Sequence, residues 1–162
     1  MKAKTPISIL RTIVSAIVAA VSFPAGASES EVGSTVDLRR YQWENRLLLV
    51  FAPTHGEPLF QALHESVAAR GLDIEDRDLV FFEVVENGPS TQDGETLNPA
   101  ASRLLRERFD VPEGAFSVIL VGKDGGIKLE RQDRTSLDEI FALIDSMPMR
   151  QQEMRRENHP NH

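Results

Sequence analysis

RLLLVFAPTHGEPLF, residues Arg46 to Phe60, reads as a buried strand that passes through a sharp loop into a helix. Leu47 to Phe51 is a continuous apolar run of strand length, the pattern of a strand covered on both faces. Pro53, Gly56 and Pro58 then break the run, and Pro58 suits a first helical turn, where its missing N–H costs nothing. In an open α/β sheet such a turn sits at the carboxyl end of a strand, where ligands collect. It contains no thiol.

Downstream, a helix is expected from about Pro58 to Arg70, with Gly71 as its left-handed cap. Leu59, Leu63 and Val67, with Phe60, form its apolar stripe, and His64 lies on the flank. Leu79 to Val85 (LVFFEVV) is a second buried strand, and helical spacing between the two implies a right-handed parallel β-α-β unit. Glu86 to Leu97 (ENGPSTQDGETL) reads as a long polar loop, either mobile or a site for binding something, with a composition that favours mobility. Asn98 and Pro99 open a helix through Arg108 that should present Ala101, Leu104 and Leu105 to the core, with Arg103, Arg106 and Arg108 on a solvated face.

Phe116 to Val121, the Asp124-Gly125 turn and Ile127 to Leu129 predict an antiparallel hairpin, because glycine takes the positive φ that a tight turn needs. Ser136 and Glu139 are spaced as a capping box for a last main helix with the stripe Leu137, Ile140, Phe141, Ile144.

Upstream, Leu38, Tyr41 and Trp43 belong to a lead-in whose aromatics are expected to cover the first strand. At the start of the chain, Lys2, Lys4 and Arg11 precede an apolar run from Thr12 to Phe23 and the small residues Ala25-Gly26-Ala27. This is the layout of a signal peptide cleaved after Ala27, and the run is short of the roughly 20 apolar residues of a membrane span. The expected organisation is residues 1–27 signal peptide, 28–35 flexible, 36–156 one domain and 157–162 a disordered tail.

Cleavage would move the net charge from −7 to −10, since the leader carries three basic residues and no acidic one. So acidic a domain is poorly suited to nucleic acid or anionic lipid, and no membrane anchor would remain. Export permits disulfides, yet there is no cysteine, which excludes thiol redox chemistry and thiolate metal sites.

The order strand, helix, strand, helix, hairpin, helix resembles the thioredoxin-like fold: a central mixed sheet of about four strands flanked by helices. The place where an oxidoreductase of that fold carries C-x-x-C holds Ala52, Pro53, Thr54, His55 and Gly56 here, and Ala115 and Phe116 replace the proline before the third strand. YQWENRLLLVFAP, VILVGKDGGIKL and IDSMPMRQQEM, across Leu38 to Met154, resemble the exported, mostly bacterial domain-of-unknown-function family 4174. That resemblance implies a thioredoxin-like fold, a periplasmic or secreted location, and no known reaction, cofactor or catalytic residue to carry over.

The candidate ligand-binding residues are Thr54, His55 and Arg150, with no catalytic or metal-binding residue assigned. Thr54 and His55 precede a helix N-terminus, where free N–H groups favour an anion. The expected role is a redox-inactive module that binds an envelope protein or a small ligand. The alternative is a non-thiol enzyme, or a copper carrier using His55 or the tail residues Met147, Met149, Met154, His159 and His162. The plainer reading of the tail packs Met147 and Met149 on the domain and leaves Arg150, Arg155 and Arg156 in water.

Overall fold

The computed structural model describes residues 36–158; the expected signal peptide, residues 28–35, His159 and His162 lie outside them. A 3-10 turn (Leu38–Tyr41) leads into β1 (Arg46–Ala52), α1 (Pro58–Ala68), α2 (Gly71–Asp76), β2 (Leu79–Val85), β3 (Thr91–Gln92) and β4 (Glu95–Thr96). There follow α3 (Pro99–Arg108), β5 (Ser117–Val121), β6 (Ile127–Arg131), α4 (Leu137–Ser146) and α5 (Pro148–Asn158). The strands form one sheet in the order β4-β3-β2-β1-β5-β6, so the expected four strands gain a hairpin of two short strands at one edge. β1 pairs parallel with β2 and antiparallel with β5.

Every residue of β1 and β2 is buried, because helices cover both faces. Leu48, Val50, Phe81, Val85 and Leu120 meet Phe60 and Leu63 of α1 and Leu137, Ile140, Phe141 and Ile144 of α4. Leu47, Leu49, Phe51, Phe82, Val84 and Ile119 meet Leu105 of α3 and the lead-in residues Leu38 and Tyr41. Alternation along each strand divides these sets, and burying one such side chain fully stabilises by about 1.5–3 kcal/mol.

Several local expectations are corrected. Gly71 does not cap α1; α1 ends at Ala68 and Gly71 opens α2 without a positive φ. Tyr41 packs edge-on against Phe82 at 5.9 Å, but Trp43 turns outward, 63% exposed, at φ 72°. Its backbone N–H donates to the Lys123 carbonyl at 2.6 Å, which anchors the backbone and leaves the indole without a place in the core. Leu104 is exposed, whereas Arg106 is buried on the same helix. The polar loop is ordered as the β3-β4 hairpin, turning at Asp93 and Gly94, both at positive φ. α5 runs through Glu157 and Asn158, the first two residues of the stretch expected to be disordered.

The capping box is formed: the Glu139 N–H donates to Ser136 Oγ at 3.2 Å, and the Ser136 N–H donates to Glu139 Oε2 at 2.8 Å. That backbone bond, with the Ser136 hydroxyl, holds the Glu139 carboxyl below its ordinary 4.5. A depressed carboxyl contributes stability above its unfolded value and loses it as pH falls through the folded value. Ser136→Ala is therefore expected to cost about 1 kcal/mol at neutral pH. In urea unfolding the gap between wild type and variant should narrow in acid.

Candidate functional site

β1 and β2 leave the sheet side by side. The Glu86 N–H donates to the Ala52 carbonyl at 3.0 Å, and Asn87 donates to the Pro53 carbonyl from its backbone N–H (3.0 Å) and its Nδ2 (3.2 Å). This ties the turn after β1 to the loop after β2. Thr54 and His55 sit at its surface. The His55 ring meets Phe60 edge-on at 5.7 Å, and a Cβ at Gly88 would lie 2.8 Å from His55 Nδ1, so a side chain at position 88 would displace the ring.

The helix N-terminus beside them is already served. Glu57 caps α1, its Oε1 accepting from the Leu59 N–H at 3.4 Å, so the anion expected there is supplied by the chain itself. On the other side of this surface His64 stacks on Phe60 at 6.0 Å, and its Nδ1 hydrogen-bonds Glu83 Oε1. Glu83, 8% exposed in the middle of β2, also accepts from Thr91 Oγ1 at 2.5 Å. A buried carboxylate needs such partners, and β3 brings one of them.

Next to the turn, between the loop after β2 and α3, is a cavity of about 960 Å³. Val85, Leu97 and Val111 give it apolar walls, Pro89 lies at its exposed side, and Arg106 is in its lining. Arg106 Nη2 donates to the Ala52 carbonyl at 2.7 Å and Nη1 to the Pro112 carbonyl at 3.1 Å, with Glu86 Oε2 3.7 Å away. Burial pushes its guanidinium pKa down, against the opposing pull of Glu86 and Glu113. Arg106, expected on a solvated face, is buried. Its signal was the run Ala101, Ser102, Leu105, which continues one face of α3 to position 106 rather than to Leu104. The hairpin beside it was equally legible, since Asp93-Gly94 repeats the Asp-Gly pattern of residues 124–125.

Arg150 is not brought to this surface. It is 3% exposed and pairs with Asp76, with Asp145 at 3.5 Å, Glu157 at 3.7 Å and Glu153 at 3.8 Å. Arg46, the first residue of β1, shares Glu153, so this cluster lies at the opposite end of the strand from the Ala52 turn. Of the tail methionines, Met147 packs against the core, Met154 is half-buried and Met149 is exposed. Among the described residues no group of three or more His, Cys, Asp or Glu side chains could hold a metal ion.

The family model described as "Domain of unknown function (DUF4174)" matches residues 37–153. Coiled-coil domain-containing protein 80 of Danio rerio is 29% identical over 133 residues, covering 72% of this chain and 15% of that protein. The chain thus spans under a sixth of the length of this relative. Among solved structures, reduced 2-Cys peroxiredoxin of Plasmodium vivax aligns with TM-score 0.53 and 15% identity, covering 76% of this chain and 86% of that one. Plasmodium yoelii thioredoxin peroxidase I aligns with TM-score 0.51 and 18% identity, covering 77% and 82%. At these identities the likeness is one of fold, and the fold is thioredoxin-like.

Proposed function

Because this chain belongs to the DUF4174 family, whose description assigns no function, we propose from its own geometry that it is an exported, redox-inactive binding module taking a small ligand at the carboxyl end of its sheet. The cavity between the loop after β2 and α3 carries this reading. It has the size of a ligand site, with apolar walls and a rim of charged side chains, and it adjoins the turn that holds the thiols in oxidoreductases of this fold. Without cysteine, binding is the use left to that end of the sheet that needs no new catalytic group. His55 flanks the cavity through Gly88, which is in its lining and lies close to the His55 ring. Export rests on the charged start, apolar run and Ala25-Gly26-Ala27 of the leader.

An enzyme centred on His55 is less favoured, since its ring meets Phe60 and Gly88 and the imidazole bonded to a carboxylate is that of His64. Native mass spectrometry of the full chain, recovered from its own envelope, tests the binding reading. A small-molecule adduct is expected on the wild type and on Asp37→Asn, and is expected to vanish in Pro89→Trp, which puts an indole into the cavity from an exposed position. An adduct that survives Pro89→Trp, or a bare mass for the wild type, would overturn the assignment.

A further inference from the structure

We propose that Asn87 is a site of spontaneous deamidation, and that this modification releases the turn after β1 from the loop after β2. Asn87-Gly88 is the only Asn-Gly pair in the chain. Asparagine loses its side-chain amide when the next backbone nitrogen attacks Cγ, and a following glycine, with no Cβ, leaves that approach open. Both residues are exposed and stand outside the strands, so neither helix nor ladder fixes the backbone there. The Gly88 N–H, whose nitrogen makes the attack, has no hydrogen bond among the described residues. A side chain at position 88 would displace the His55 ring, so the residue that seats this ring is also the one that makes Asn87 labile.

The reaction needs only the chain and water. Gly88 N bonds to Asn87 Cγ and gives up its proton, the Cγ–Nδ2 bond breaks, and ammonia departs from a five-membered succinimide. Water then opens one of the two ring carbonyls, leaving aspartate or isoaspartate. Either product breaks a tie to Pro53: Nδ2, which donates to the Pro53 carbonyl at 3.2 Å, gives way to an anionic oxygen that the same carbonyl repels. Isoaspartate also adds a carbon to the backbone before Gly88, which carries Gly88 away from the His55 ring. What holds the reaction back is that one exposed side-chain bond, enough to slow it by no more than about tenfold. The bond from the Asn87 backbone N–H to Pro53 lies on the far side of Cα from the reacting atoms and stays in place during the attack.

The full chain, aged in mildly alkaline buffer both folded and unfolded in urea, tests this by peptide mass mapping and isoaspartyl methyltransferase labelling. In the folded chain Asn87 is expected to lose its amide at a rate within about tenfold of the unfolded one, with isoaspartate among the products. The His55 ring resonances are expected to move in step with the modified fraction, while those of His64, held by Glu83, stay in place. In Asn87→Gln, whose longer side chain does not close a five-membered ring, the His55 resonances should stay constant over the same period. A folded chain that keeps the amide more than about a hundredfold longer than the unfolded one, beyond what one hydrogen bond supplies, would overturn the modification site. Loss of the amide with unmoved His55 resonances, or an equal drift in Asn87→Gln, would overturn the release of the turn.

Discussion

Glu153→Gln is expected to lower the unfolding free energy by about 3–5 kcal/mol, the cost of removing one partner from buried ion pairs. The carboxylate stands among three cations: Arg46 Nη2 at 3.0 Å, Lys123 Nζ at 2.8 Å and Arg150 Nη1 at 3.8 Å. The Arg46, Lys123 and Arg150 side chains are 1%, 9% and 3% exposed, so water cannot replace the lost charge. Glutamine keeps the size and one acceptor oxygen, and the effect therefore isolates charge from packing. The same group docks α5, whose only buried side chain is Arg150, so the helix should loosen along with the domain. A urea titration should show a lower midpoint with an unchanged slope, and a loss under 1 kcal/mol would refute the account. Asp37→Asn, which breaks only the exposed pair with Arg39, should leave the midpoint in place. Ligand uptake should survive Glu153→Gln below the unfolding transition, because the cluster and the cavity lie at opposite ends of β1.

Phe60→Ala is expected to cost about 3–5 kcal/mol, the usual range for emptying a large aromatic from a core. Phe60 is 3% exposed and belongs to the layer between α1 and the sheet. It also separates two imidazoles, His55 edge-on and His64 stacked. Its removal should therefore shift the ring resonances of both histidines as well as the denaturation midpoint. His55→Ala, at an exposed position, should stay within about 0.5 kcal/mol of wild type. If Phe60→Ala cost no more than His55→Ala, the ring would be peripheral to the core, contrary to its packing here.

These two residues mark the boundary between what was legible early and what was not. Phe60 falls on the apolar stripe of a helix that opens on a proline, and periodicity alone assigns it inward. The Asn98 cap, the Ser136 to Glu139 box and the Asp124-Gly125 turn were legible for the same reason: each is a bond or a φ preference settled within a few residues. The candidate site was legible only in part. Thr54 and His55 are exposed at the turn after β1, whereas Arg150, expected at a ligand, and Arg106, expected in solvent, are both buried by partners that local pattern does not name.

By itself the sequence determined the main strands, the buried faces of α1 and α4 and the absence of thiol chemistry, because apolar periodicity, backbone preference and residue type act locally. Tertiary structure alone decided which charges went inside and where an open space remained. Arg46 meets Glu153 across 107 positions, and Arg106 meets the Ala52 carbonyl across 54. A guanidinium can leave water only when the folded chain brings it such acceptors. Whether it finds them depends on distances that form when the sheet and helices close together.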